Sequence, residues 1–175
     1  MPGQPADDPY QHLREAFDRM PIVATLGLRI VSIEPGRVSM AMPIHDGLCF
    51  RPGQVQATSL FAIADFAAVG AAATLLPPGW TNATIDTTLK LIRPGRGSQL
   101  QAHGRVIRPG RRLSVCAADV FAIDGDDRIL CATFLATAHN VDPTAEPSAD
   151  SAGVGAAAPV EESQNRGVLP VNDGS

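Results

Sequence analysis

The stretch that most constrains this chain runs from Ala57 to Leu76, an Ala-rich apolar segment with a single charge, Asp65, near its middle. Good helix formers dominate it, and Leu60, Ile63, Ala64, Ala67 and Ala71 recur at the i, i+3, i+4, i+7 spacing of one helix face. Phe61, Ala68 and Ala72 make the opposite face apolar as well. A helix apolar all round is either enclosed by protein or crosses a membrane. At about 1.5 Å per residue the run is roughly 30 Å long, enough to span a bilayer. Three features argue against a span. Alanine contributes little transfer free energy, an Asp at the centre costs about 2.5 to 3.5 kcal/mol on insertion, and no basic cluster flanks the run. The expectation is a buried helix wrapped by a sheet, with Asp65 held inside.

The flanking segments read as strands. Before the helix, Pro9–Met20 is expected to form a short amphipathic helix with Asp8 as N-cap, Pro9 at its first position and a stripe of Leu13, Ala16, Phe17 and Met20. Leu28–Ile33 and Arg37–Met42 follow as strands joined by a tight turn at Glu34-Pro35-Gly36, then a loop from Pro43 to Gly53. Pro77-Pro78-Gly79 stops the long helix. Asn82–Arg93 alternates, with Ala83, Ile85, Thr87, Leu89 and Leu91 on one face and Thr84, Asp86, Thr88 and Lys90 on the other. After Pro94-Gly95, Leu100, Ala102, Gly104 and Val106 form the inner face of the next strand; Pro109-Gly110 leads into Arg112–Ala122, and Asp124-Gly125-Asp126 turns the chain into Ile129–Ala138. Strands on both sides of one long helix predict an α+β fold, an antiparallel sheet of about six strands curled around that helix. Ala62, Ala64, Ala67, Ala68, Gly70 and Ala71 would let the sheet approach closely.

Three regions are expected: an extension with its short helix over 1–20, the sheet-and-helix domain over 21–140, and a disordered tail over 141–175, rich in Ala, Gly, Pro and Ser and free of aromatics. Charge is uneven. Between Asp86 and Arg112, seven basic residues (Lys90, Arg93, Arg96, Arg105, Arg108, Arg111, Arg112) stand against that one acid, whereas the segment from Asn140 onward holds six acids against Arg166. A local basic strip on a chain of net charge −4 suits a phosphate-bearing small ligand better than nucleic acid. Cys49, Cys116 and Cys131 have no metal-type spacing, and the N-terminus lacks the basic and apolar regions of a signal peptide; the chain therefore reads as cytoplasmic, with its thiols as small core residues.

Read in order, Gly53, Asp65, Thr84-Ile85-Asp86, Ile92-Arg93-Pro94, Arg108-Pro109-Gly110-Arg111 and Asp124-Gly125 resemble the pattern of the hotdog-fold acyl-CoA thioesterases, specifically the phenylacetate-pathway type related to 4-hydroxybenzoyl-CoA thioesterase. The match covers about residues 20 to 140. It departs from the family at Gln56-Ala57-Thr58, where His-Gly-Gly is usual, and at Phe50, where many members carry Asn. The resemblance implies a hotdog fold and a composite active site at the interface of a homodimer or a dimer of dimers.

Thioester hydrolysis needs a carboxylate to activate water or to attack directly, and donors for the developing oxyanion. Asp65 is the only ionisable group on the long helix. Thr84 stands where the resemblance places a hydroxyl that orients that acid or its water. The Ala57 N–H, in the first helical turn, is the candidate oxyanion donor, helped by the Gln56 amide. Ala57 and Asp65 are eight residues apart, roughly 12 Å along the axis, so one carbonyl reaches both only if they come from two subunits. Arg93, Arg108, Arg111 and Arg112, with Gly110 in the turn, are the candidates for coenzyme A phosphates. The expected activity is hydrolysis of an acyl- or aryl-CoA, with no metal, no redox cofactor, no nucleic acid and no membrane. The main alternative is a hotdog module that binds acyl-CoA without turnover. A hydratase would want a His on the helix, and a DNA-binding regulator would want a further helical domain.

Overall fold

The computed structural model of the protein describes residues 8–144. In chain order it comprises α1 (Gln11–Asp18), α2 (Pro21–Leu26), β1 (Arg29–Glu34), β2 (Arg37–Pro43), a 3-10 turn, β3 (Cys49–Arg51), β4 (Gln54–Val55), α3 (Ala57–Ala73), β5 (Thr81–Leu91), β6 (Gln99–Arg108), β7 (Leu113–Asp124) and β8 (Asp127–Val141). Six strands form one antiparallel sheet in the order β1-β2-β6-β7-β8-β5, and β3 and β4 make a small separate ribbon. The sheet wraps α3, which packs on β2, β5, β6, β7 and β8. This is the expected α+β hotdog arrangement. Among the described residues no helix is long and apolar enough to cross a membrane.

The core lies between one flank of α3 and the concave sheet face. Ile63, Ala64, Ala67, Ala68 and Ala71 are fully enclosed there, against Met42, Leu100, Val120 and Phe134. The small helix residues have the predicted effect. Under Ala67 the sheet has Gly104, and a Cβ built on it would stand 1.9 Å from the Ala67 carbonyl oxygen. Helix and sheet thus meet backbone to backbone. Cys116 and Cys131 are buried free thiols, and burial pushes Cys116 up to about 11, which keeps it an inert thiol.

Several boundaries differ from the sequence reading. The long helix ends at Ala73 rather than Leu76, because the Thr74 hydroxyl donates to the Ala71 carbonyl at 2.7 Å and accepts from the Gly36 N–H at 2.7 Å. The N-terminal helix starts at Gln11, not Pro9, because the Asp8 carboxylate accepts the Tyr10 N–H and holds Pro9-Tyr10 in a turn. It stops before Met20, whose extended backbone is what the following Pro21 demands. The helix α2 is an addition to the expected elements, although Pro21 at its first position and left-handed Gly27 after its end are ordinary start and stop signals. The loop over 43–53 contains the 3-10 turn and strand β3. Of the tail expected over 141–175, residues 145–175 lie outside the described residues.

The most consequential correction concerns β5. One unbroken alternation would put Thr84 and Leu89 on opposite faces. Instead the pairing with β8 skips Ile85, for Thr84 faces Ala138 and Asp86 faces Thr137. This bulge reverses the parity of the strand. Asn82 and Thr84 point toward α3 before it, Thr87 and Leu89 after it, and Ile85 is left 58% exposed.

Candidate active site

The centre of α3 carries Asp65, half-buried on the flank that faces β5. The bulge at Ile85 aims Thr84 at it, and the Thr84 hydroxyl donates to Asp65 Oδ1 at 2.7 Å. Burial raises the Asp65 pKa above the ordinary carboxylate value, and the Thr84 hydrogen bond opposes that rise by favouring the ionised form. Oδ1 is thereby fixed, which leaves Oδ2 to act on a proton or an electrophile. The pair expected from the sequence is in contact.

The start of α3 is built differently. Gln54 and Val55 are buried in the β3–β4 ribbon, and the Val55 N–H donates to the Gly95 carbonyl at 3.0 Å, tying the helix entry to the β5–β6 connection. The Gln56 side-chain oxygen accepts the Ala57 N–H at 2.9 Å. The two candidate oxyanion donors thus engage one another, and Gln56 fills the capping role that Ser, Thr or Asp usually takes. Beside them lies a cleft of about 540 Å³ lined by Phe50, Arg51, Gln56, Ala57, Arg93 and Arg96 among others. Asp65 is not part of its lining. Arg51 and Arg96 are not among the arginines that the sequence nominates for phosphate contact. Arg51 sits in a stretch that reads as featureless loop, and only the ribbon, where its guanidinium donates to the Gln54 side chain, brings it to the helix entry.

The basic strip does not converge within one protomer. Arg93 and Arg96 flank the cleft at the start of α3. Arg108, Gly110, Arg111 and Arg112 form the β6–β7 turn at the opposite end, beside Leu75, Leu76 and Trp80 after the end of α3. The 10 residues of β6 put roughly 30 Å between the two groups. All four candidate arginines are exposed. The turn itself is rigidly held, since buried Asn140 donates from its backbone N–H to the Arg112 carbonyl and from its side chain to the Gly110 carbonyl at 2.7 Å. His103, to which the sequence assigns no role, contacts Ser39 and Phe121 rather than any of these groups.

Comparison with solved structures gives a consistent answer. A thioesterase family protein from Silicibacter pomeroyi superposes with a TM-score of 0.73 at 30% identity, covering 75% of this chain and 96% of that one. A phenylacetic acid degradation-related protein from Ralstonia eutropha follows at 26% identity and TM-score 0.61, over 69% and 90% of the two chains. The Escherichia coli PaaI protein of the phenylacetic acid degradation operon shares the fold at TM-score 0.68 and 19% identity, over 76% and 93%. No family model matches the sequence, and no curated protein does. With the fold and the 30% likeness over nearly the whole of a thioesterase family protein together, the chain belongs to the hotdog-fold thioesterase superfamily.

Proposed function

We propose that the protein hydrolyses a CoA thioester at a composite site between two subunits. The observation that carries this reading is the Asp65–Thr84 pair, a half-buried carboxylate with one oxygen fixed at 2.7 Å and a raised pKa. A raised pKa makes Asp65 a stronger base toward water. In this mechanism Asp65 takes a proton from water, the water oxygen bonds to the thioester carbonyl carbon, and the carbonyl becomes an oxyanion. The Ala57 N–H of the other subunit, released when Gln56 turns aside, receives that oxyanion. Collapse then breaks the C–S bond, and the proton held by Asp65 leaves on the CoA sulfur.

Two features support dimer formation. β5 is an 11-residue edge strand, and a long unpartnered edge is a template for another strand. Ile85 and Leu91 on it and Phe61 on α3 are exposed large apolar side chains. Antiparallel pairing of two β5 edges about a two-fold axis runs the two α3 helices antiparallel, so that the start of one can face the middle of its mate. The Arg108–Arg112 turn of one protomer then lies at the same end as Arg93 and Arg96 of the other, which would rejoin the basic strip for the CoA phosphates. A cytoplasmic setting belongs to the same proposal, and the three free thiols suit a reducing compartment.

The test uses two variants, each removing one half of the site. Asp65→Asn removes the base. Ala57→Pro removes the N–H at the first helical position, where proline is tolerated, after a Gln56 backbone already extended at ψ 146. Each homodimer is expected to lose about 100-fold or more in thiol release from acyl- and aryl-CoAs. Unfolding and remixing them should restore about a quarter of wild-type turnover through heterodimers with one intact site. Full turnover by Asp65→Asn would remove the chemistry from Asp65, and no recovery on mixing would place both groups in one subunit.

A further inference from the structure

The apolar stripe of α1 does not rest on a packed core. Phe17 alone of it is buried, set edge-on to Phe66 of α3 with ring centroids 5.6 Å apart. The rest roofs a cavity of about 330 Å³. Its floor is the second half of α3, and its walls come from β1 and β2 on one side and the start of β5 on the other. Met20, Ile33, Val38 and Met40 are among its apolar lining, and the polar side chains, His12, Thr81 and Asn82, are few.

The floor includes Gly70. Glycine inside a helix is unfavourable and normally has a packing reason. Here it has none. A Cβ on Gly70 would meet only Met40 Cε at 3.7 Å and the Val38 methyls at 3.9 Å, which are ordinary contacts. The glycine leaves volume open rather than avoiding a clash.

Neither Asp65 nor Thr84 lines the cavity, but it lies within an acyl tail's length of the pair. Gly70 is five residues beyond Asp65, roughly 7.5 Å along the helix, and Asn82 is two residues from Thr84 on the same inward face, roughly 6.6 Å along the strand. We propose that this cavity receives the uncharged tail of the thioester, an alkyl or aryl group of about eight to twelve carbons, since a cavity of about 150 Å³ already accommodates a benzene ring. Small acyl groups such as acetyl would leave it empty and forgo the contacts. The inference rests on the thioesterase reading for its carbonyl, but the binding it predicts does not require turnover.

The experiment therefore uses two CoA thioethers that cannot be hydrolysed, S-octyl-CoA and S-methyl-CoA, titrated calorimetrically into the wild-type protein and into Gly70→Leu. The wild type is expected to bind S-octyl-CoA about 100-fold more tightly than S-methyl-CoA. Gly70→Leu, which places a side chain in the cavity, should bring that ratio within about three-fold while leaving S-methyl-CoA affinity in place and without lowering the thermal midpoint. Gly70→Ala serves as the milder variant should leucine prevent folding, and it should give an intermediate ratio. Equal affinity of the wild type for both thioethers, as when side chains of a second protomer fill the cavity, would overturn the proposal. An unchanged ratio in a folded Gly70→Leu would do the same. A protein with the predicted binding contrast but no thiol release would keep this proposal and lose the hydrolase.

Discussion

On the flank of α3 that faces β6, a Cβ added to Gly104 would stand 1.9 Å from a helix carbonyl oxygen; on the flank that faces the cavity, one added to Gly70 would meet nothing nearer than 3.7 Å. The first glycine is a steric necessity and the second is an empty place. The same division separates the other helix residues. Ile63, Ala64, Ala67 and Ala71 are sealed against the sheet, whereas Asp65 is half-buried and Phe61 is 38% exposed. One helix thus carries the stability of the domain on one flank and the proposed chemistry on the other. A sequence that is apolar on both flanks conceals the difference, because the sheet and the ligand space ask for the same residue types.

Substitutions should break this contrast unequally. The largest effect is expected for Gly104→Ala. The atoms it would strike are backbone of Ala67 and Ala68, so relief requires moving the helix, and a loss of about 4 kcal/mol or more should appear in chemical denaturation. A destabilisation under about 1 kcal/mol would show that the flank has slack after all.

Thr84→Val probes the chemical flank and should cost less, about 1.5 to 3 kcal/mol at pH 7, the scale of a hydrogen bond to a charged group. The sign follows from the raised pKa of Asp65. Its burial costs nothing below the unfolded value of 3.8, where the acid is neutral in both states, and stability falls as pH rises through the folded value. Losing the Thr84 donor raises the folded pKa further. The gap between variant and wild type should therefore open as pH rises through the folded Asp65 value, which lies above 3.8, and nearly close below it. A gap independent of pH would mean that Thr84 acts through packing alone. The smallest effect is that of Gly70→Ala, expected to stabilise the protein by about 0.5 to 1 kcal/mol through helix propensity, read as a higher denaturation midpoint. Destabilisation would mean that the open place is needed for folding.

Much of this architecture is legible in the sequence, because its signals are local. The long helix, the Pro-Gly and Asp-Gly turns and the inner face of β6 follow from period and turn chemistry over a few residues. Asp65 stands out as the only charge in an apolar run, and Thr84 is reached through the family pattern. What escapes is non-local. The bulge at Ile85 is defined by pairing with Ala138 and Thr137, residues distant in the chain, and nothing in the alternation of β5 announces it. The division of the arginines between two ends of the sheet depends on the direction of β6 through the fold. That Gln56 would occupy the Ala57 N–H is a matter of one side-chain rotation, which spacing does not encode.

The notch at Gly104 has a mechanical corollary. A helix seated backbone to backbone on its sheet has little freedom to slide or roll, so the space beside it is not widened by moving its floor. The light part of the enclosure is α1, eight residues long with a single buried side chain. Widening this half-open space for a bulky tail would then fall to displacement of this one segment, held mainly by the contact of Phe17 with Phe66, while leaving the equilibrium stability of the sheet almost untouched.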